Sequence, residues 1–387
     1  MQKPIYFDYN ATTPTDPEVV KAMLPYMTET FGNSANTLHI YGQEAQKAVE
    51  TATHRTAQFI HCQPSEIVWN SGSTEGNNTV LFGVVKKVAS HTPIHLITSE
   101  TEHSSVLNTF KAIAEFSSVE VSFVKPNSQG EVLLSEIKKH ITPHTKLISI
   151  TWVNNEIGTI NPILEMADFC QQENILFHTD ATQALGKVPI NLQTTPIDYL
   201  TFSSHKFYGP KGVGVLFQRS GHELPALIIG GGHQYGHRSG TLNTPGVVGT
   251  AKAIELLSTM EKENERLQNI TDFIYSELKK AIPELKLNGT PIGEKRSAIN
   301  LSLTFPTPID HKLSQLQGIA FSQGAACKSG KTTASAILSA IGLTTYEASC
   351  TLRLSLGRWS TESEAKVAVE TISKAFKQPQ TMLELNQ

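Results

Sequence analysis

Apolar residues recur at helical spacing between Gln43 and His61, at Ala45, Ala48, Val49, Ala52, Phe59 and Ile60, with polar residues between them. That spacing predicts a helix. Short apolar runs follow: "EIVWN" (66–70), "IHLITS" (94–99), "VEVSFVKP" (119–126), "TKLISITWV" (145–153), "ILFHTDA" (175–181), "DYLTFSSHK" (198–206) and "GVGVLFQ" (212–218). Their length and their polar or Gly/Pro borders predict strands. A helical run from Glu75 towards Lys86 and another at "ILEMADFCQQEN" lie between them. Strands alternating with helices predict an α/β fold with a mainly parallel sheet covered on both faces.

From about Pro245 the pattern changes. "GVVGTAKAIELLSTMEKENERLQNITDFIYSELKKAI" predicts one or two long helices that carry the chain away from the sheet. "AINLSLTF" and "TLRLSLG" then alternate, as half-buried strands of an α+β layer do. The expected division is a large domain over residues 15–255 and a smaller α+β domain built from residues 1–14 and 256–387.

Composition narrows the function classes. The chain has 387 residues and a net charge of -3 with mixed signs, which gives no basic footprint for direct nucleic-acid binding. No apolar run approaches the roughly 20 residues that cross a bilayer. "MQKPIYFDYN" has no apolar signal core, so a cytoplasmic location is expected. Cys62, Cys170, Cys327 and Cys350 are far apart, with no C-x-x-C pair, so neither a disulfide framework nor a zinc site is expected. "HTPIH" and "HQYGH" carry Pro or Gly and read as loop histidines rather than metal ligands.

Ligands of open α/β sheets sit beyond the carboxyl ends of the strands. Polar residues cluster there: Gly72, Ser73 and Thr74; Glu102 and His103; Asn154, Asn155 and Glu156; Asp180 and Gln183; Ser203, His205 and Lys206. Five ends carrying acid, base, amide, hydroxyl and amine read as one site. "SGSTEGNN" opens a helix, which suits either a phosphate or a plain N-cap. "GAACKSGKT" and "GPKGVG" lack P-loop spacing, and Gly212-Val213-Gly214 does not continue as G-x-G-x-x-G. "GGGHQYGHRSGT" is either a surface turn or a binding loop that reaches a neighbouring subunit. Arg353 is a surface charge or a fork for a carboxylate, with Arg358 as its rival. Cys327 lies among Gly, Ala, Ser, Lys and Thr in "FSQGAACKSGKTTASA", an electropositive setting that favours a thiolate.

Together "YFDYNATTP", "SGSTEGNN", "TEHSSV", "VNNEIG", "TDATQALGK", "SSHKFYGPKG", "RSGT" and the Arg353 strand resemble the pyridoxal-phosphate-dependent cysteine desulfurases of aminotransferase class V, a fold type I group. The agreement runs in order from Tyr6 to about Ser360, and is strongest with the bacterial assembly branch. The resemblance implies pyridoxal 5'-phosphate as cofactor, L-cysteine as substrate, L-alanine as product, and a sulfur acceptor protein in iron–sulfur assembly or thiolation. It implies Lys206 as the Schiff-base lysine, with Lys211 structural. Ser203, His205 and Thr74, with backbone of Gly72 and Ser73, would hold the phosphate, and Thr241 would arrive from the second subunit of a homodimer. Asp180 would pair with the pyridinium nitrogen, Gln183 with the ring hydroxyl, and His103 would stack on the ring and serve as acid/base. Asn154 and Arg353 would hold the substrate, and Cys327 would carry the persulfide. The chain departs from the family where Gly324-Ala325-Ala326-Cys327 replaces Gly-Ser-Ala-Cys, where "NSAN" replaces Asn-Pro-Ala-Ser, and where Lys328 and Lys331 follow the cysteine. These differences bear on rate and acceptor choice. A selenocysteine lyase, an aminotransferase and an inert scaffold are the alternatives; Lys206, Asp180 and Cys327 together argue against the last two.

Overall fold

A computed structural model of the chain describes residues 3–88, 93–116, 118–328 and 331–377; of residues 325–328 and 331–333 it describes the backbone. The chain enters through β1 (Ile5–Tyr6) and the helices α1 (Pro17–Met23), α2 (Pro25–Thr28) and α3 (Ile40–Phe59). His39 Nδ1 caps α3 by accepting from Gly42 N, which satisfies a donor of the first turn. Then follow β2 (Ile67–Asn70), α4 (Ser73–Val88), β3 (Ile94–Ser99), α5 (Ser104–Ile113), β4 (Val119–Val124), α6 (Leu134–Lys139), β5 (Thr145–Ser149), α7 (Ile163–Gln172), β6 (Leu176–Asp180), β7 (Tyr199–Ser203), β8 (Gly214–Gln218) and α8 (Thr244–Glu255).

The strands form one seven-stranded sheet in the order β2-β8-β7-β6-β5-β3-β4. Pairings among β3 to β7 are parallel; β8 is antiparallel to both of its neighbours. Period-2 alternation splits the side chains between two cores. Leu96, Leu147 and Leu216 pack with Val80 and Leu81 of α4 and Phe110 of α5. Ile97, Ile148, Val215 and Phe217 face the opposite layer, with Ala52 of α3 and Val247 and Ala251 of α8. Each such buried side chain contributes about 1.5–3 kcal/mol. Leu216→Ala would cost about 2–5 kcal/mol, because the cavity it leaves between sheet and helices cannot fully close.

A tight turn at Leu256–Thr259 separates α8 from α9 (Met260–Ala281). Beyond it lie β9 (Lys286–Leu287), β10 (Asn300–Thr304), β11 (Ile319–Ala320), β12 (Ser322–Gln323), β13 (Ala325–Lys328), β14 (Lys331–Ala334), α10 (Ala336–Ala340), α11 (Thr345–Ser349), β15 (Thr351–Ser355) and α12 (Glu362–Lys377). An antiparallel sheet of order β12-β15-β10-β9 puts Leu301, Leu303, Leu352 and Leu354 against Leu267 and Ile274 of α9 and Ala368 and Ile372 of α12. The amino-terminal β1 joins this part by pairing in parallel with β11.

Three local details sharpen the reading from sequence. The apolar run 145–153 stops as a strand at Ser149. Beyond it Ile150 and Trp152 still donate backbone hydrogen bonds to His178 and Asp180, and this leads the chain into the site. His95 is no loop residue: it lies buried on β3, with its ring nitrogens against Thr145 and Ser122 hydroxyls. The segment around Cys327 is a hairpin, with β13 antiparallel to β14 and Cys327 opposite Thr332.

Candidate active site

The carboxyl ends of β3, β5, β6 and β7 and the start of α4 enclose a cavity of about 570 Å³. Gly72, Ser73, Thr74, His103, Asp180, Gln183, Ser203, His205, Lys206 and Arg353 all line it. Each arrives because a strand end or helix start puts it there. Asp180 closes β6, Ser203 closes β7, and His103 caps α5.

Lys206 follows β7 in a single tight turn. Its Nζ donates to the carbonyls of Asn10 and Ala11, at 2.7 and 2.8 Å. Burial and the Arg353 charge pull its pKa down to about 8, so it loses a proton far more readily than an exposed lysine. The turn after it requires a glycine: a Cβ on Gly209 would stand 1.8 Å from Ser204 Oγ. Lys211 is exposed at the cavity rim.

Ser203 Oγ accepts from Ser73 N at 2.7 Å and donates to Ser73 Oγ at 2.9 Å. Gly72 adopts φ +147°, and a Cβ there would crowd Ser203 Oγ at 3.3 Å. The result is a tight cradle of hydroxyls and backbone at the amino end of a 16-residue helix, where the dipole favours an anion. His205 stands beside it, with Nδ1 against the Thr12 hydroxyl at 3.0 Å. Burial, helped by Lys206 and Lys211, lowers its pKa to about 4, which keeps the ring neutral at neutral pH.

Asp180 is 4% exposed. Its Oδ1 accepts from Thr182 N at 2.9 Å and its Oδ2 from Asn77 Nδ2 at 2.8 Å. Each oxygen keeps a lone pair for a further donor in the cavity. His103 Nδ1 accepts from Ser105 N at 3.1 Å, which leaves Nε2 to carry the proton. Gln183 donates from Nε2 to Asn10 O at 2.9 Å.

Arg353 projects from β15. Its Nη2 contacts Asp8 Oδ1 at 2.7 Å and Ser322 Oγ at 2.8 Å, and its Nη1 donates to Asn155 O at 3.1 Å. Its Nε is buried without a hydrogen-bond partner among the described residues. The rival Arg358 is saturated by Asp16, Glu263 and the Leu256 carbonyl over the Tyr208 ring.

Two expected residues do not line the cavity. Asn154 is 2% exposed and its amide is spent on backbone: Nδ2 donates to Thr101 O, and Oδ1 accepts from Glu156 N and Ile157 N. It shapes the turn, whereas Asn155 lines the cavity. Thr241 is exposed and lies outside the cavity lining of its own chain. The side chain of Cys327 lies outside the described residues. Cys170 and Cys350 are buried and Cys62 is half-buried: burial raises the thiol pKa of Cys170 and Cys350, and pushes Cys62 up to about 12.

Four further residues shape the site: Glu102 and Glu156 stand among the strand-end residues read from the sequence, whereas Asn77 and Asp8 were not singled out there. Asn77, fully buried, ties Asp180 to Ser105 and Thr201. Asp8 anchors Arg353. Glu102, with its pKa raised well above the carboxylate range by burial, accepts from Thr151 N at 2.7 Å and so fixes the chain beyond β5. Glu156 accepts from the Ser335 hydroxyl at the foot of the Cys327 hairpin. Asn77 and Asp8 sat inside quoted motifs, but only the fold shows which side chains they meet.

The donor set suits pyridoxal 5'-phosphate. It offers an anion cradle at a helix start, a carboxylate with free lone pairs, a lysine of lowered pKa and the Arg353 guanidinium at one cavity.

Comparison with known proteins agrees with this chemistry. The Aminotransferase class-V family matches residues 5–367. A Clostridium botulinum protein named Cysteine desulfurase IscS is 39% identical over 389 residues, covering 99% of this chain and 96% of that protein. A solved NifS-like protein superposes with a TM-score of 0.88 at 33% identity, covering 96% of this chain and 98% of that one. A structure of SspA in complex with cysteine gives 0.80 at 33% identity, over 91% and 98%.

Proposed function

The chain belongs to the cysteine desulfurases of aminotransferase class V, and on that premise we propose that it converts L-cysteine to L-alanine and passes the sulfur to Cys327 as a persulfide for delivery to an acceptor protein. The observation that carries the reading is Lys206, a lysine of lowered pKa, facing Asp180 across a cavity that also holds an anion cradle and a carboxylate fork.

Pyridoxal 5'-phosphate, when bound, supplies the electron sink that lets the substrate's α-carbon release its proton. In this reading Gly72, Ser73, Thr74, Ser203 and His205 hold its phosphate. Asp180, held in place by Asn77 and Thr182, pairs with the ring nitrogen and favours its protonated form. Gln183 donates to the ring oxygen, and His103 covers the ring face. Arg353, steered by Asp8 and Ser322, grips the substrate carboxylate, with Asn155 beside it. Lys206 takes and returns the α-proton once its amine is free and neutral. The Cys327 thiolate attacks the substrate sulfur, forming the S–S bond as the C–S bond breaks, with the electron pair left on the carbon that becomes the alanine methyl group.

We further propose a homodimer with shared sites. Phe31, Leu38, Ile40, Ile229 and Tyr235 are exposed, and a groove lined by Ala35, Val49, Trp69, Tyr235 and Leu242 runs beside the Thr241 loop. Such an apolar face suits a second copy, which would bring Thr241 to the partner's phosphate cradle. The domain division at 255/256 is supported by the turn after α8 and the separate cores, and a cytoplasmic setting by the unpaired thiols of Cys62, Cys170 and Cys350. Among the described residues, no helix is long and apolar enough to cross a membrane.

The test is direct. Purified full-length protein with the cofactor and excess thiol reductant should turn L-cysteine into equal amounts of alanine and sulfide, and Lys206→Ala should abolish both. Pyruvate or cystine as the main product, or undiminished turnover by Lys206→Ala, would refute the reading.

A further inference from the structure

Behind the cavity stands a second lysine that the reaction has not used. Lys187 follows β6 by one turn and is partly buried. Its Nζ donates to Gln183 Oε1 at 2.7 Å. An ammonium group only donates, so the Gln183 amide must turn its oxygen towards Lys187. Its nitrogen then points the other way, to Asn10 O, the carbonyl that also holds Lys206 Nζ. Lys187 and Lys206 also share the wall of a void of about 20 Å³, with Tyr9, Tyr208 and Glu263 around it. Glu263 is ion-paired with Arg358. Nothing there competes with Gln183 as an acceptor for Lys187 among the described hydrogen bonds.

We propose that Lys187 is a positioning residue: it locks the Gln183 amide with its NH2 group towards the cavity, so that the site offers a donor rather than an acceptor to the phenolic oxygen of the cofactor. This rests on the role of Gln183 proposed above. Lys187 and the Asn10 carbonyl fix the amide from its two ends; without Lys187 one of these constraints is lost, and the flipped form, which sets the amide oxygen against Asn10 O, is less strongly excluded. Burial, with the Lys206 charge adding to it, lowers the Lys187 pKa to about 7, so the lock is complete below neutral pH, where the group is an ammonium, and weakens as pH rises through 7.

The experiment measures retention of pyridoxal 5'-phosphate by the full-length holoenzyme in equilibrium dialysis, together with the absorbance maximum of the bound cofactor. Four proteins are compared with the wild type: Lys187→Met, Lys187→Arg, Gln183→Ala and the double variant Lys187→Met/Gln183→Ala. Lys187→Met should weaken retention about tenfold, the worth of one charge-assisted hydrogen bond, and shift the absorbance in the same direction as Gln183→Ala. The double variant should be no worse than Gln183→Ala, because both changes remove one arrangement. Lys187→Arg, still a donor, should stay within threefold of the wild type. Should Lys187→Met not fold, Lys187→Leu, equally without a donor, serves the same comparison. The proposal is overturned if Lys187→Met retains the cofactor within twofold, if its loss multiplies with that of Gln183→Ala, or if Lys187→Arg is as weak as Lys187→Met. Normal retention by Gln183→Ala would overturn it too, while leaving the desulfurase reading intact; a colourless wild-type protein would sink both.

Discussion

Arg353→Lys keeps a positive charge in the site but removes the fork. In the structure Nη2 is committed to Asp8 and Ser322, and Nε is buried with no partner among the described residues. A lysine can keep the ion pair with Asp8, but it has no planar fork with further donors for the substrate carboxylate. The substrate carboxylate therefore loses about one charge-assisted hydrogen bond, about 1.5–3 kcal/mol. At about 1.4 kcal/mol per tenfold, KM for L-cysteine should rise about 10- to 150-fold. Retention of the cofactor should stay near that of the wild type. Arg353→Met adds a second effect. The Arg353 charge helps to depress the pKa of Lys206, now about 8. Without it the amine holds its proton to higher pH, so the alkaline-going rise in activity should move upward in Arg353→Met and stay in place in Arg353→Lys. Initial rates of alanine formation across substrate concentration and pH read both effects. A KM within threefold of the wild type in Arg353→Lys would refute the carboxylate role. An unmoved profile in Arg353→Met would refute the electrostatic link.

Further expectations can be checked in the same material. His205 has its pKa lowered to about 4 from 6.5; between these values the unfolded chain binds the extra proton, so its contribution to stability is complete above pH 6.5 and fades as pH falls towards 4. His205→Gln should therefore flatten the decline in Tm between pH 6.5 and 4.5, and an unchanged slope would contradict that. Asn77→Leu strips Asp180 of a buried donor and leaves the Thr201 hydroxyl without its acceptor; denaturant titration should show a loss of about 2–4 kcal/mol, and a loss under 0.5 would show that the network is slack. Mixing Lys206→Ala subunits with Thr241→Val subunits should restore part of the activity through one intact site per mixed dimer, and no recovery in verified heterodimers would argue against a shared site.

The sheet was legible because its strands are short apolar runs bounded by turn residues, and the two-sided burial of Leu96/Ile97 or Leu216/Phe217 follows from period-2 geometry. The site residues were legible because parallel strands all deliver their ends to one edge, so Asp180, Ser203 and Lys206 converge without any knowledge of packing. Asn154 and Asn155 could not be told apart in sequence: adjacent residues in a turn point to opposite sides, and only the hydrogen bonds of Asn154 to Thr101, Glu156 and Ile157 show that it faces inward. Lys187 was equally hidden, because its meaning depends on the rotamer of Gln183 four residues earlier. His95 fell both in the strand read at 94–99 and in the loop reading of "HTPIH"; the strand reading holds, and its hydroxyl partners on β4 and at the start of β5 were out of view.

The central claim is that the sulfur of L-cysteine moves to Cys327. Mass spectrometry of tryptic peptides after one turnover with limiting L-cysteine, without reductant and with free thiols trapped, reads that transfer directly. The Cys327 peptide should gain about 32 Da before trapping is counted, because a persulfide carries one extra sulfur atom; none should be added to peptides of Cys62, Cys170 and Cys350, whose thiol pKa values burial raises. Added sulfur on any of those three with none on Cys327, or alanine formation at the wild-type rate by Cys327→Ser, would contradict it.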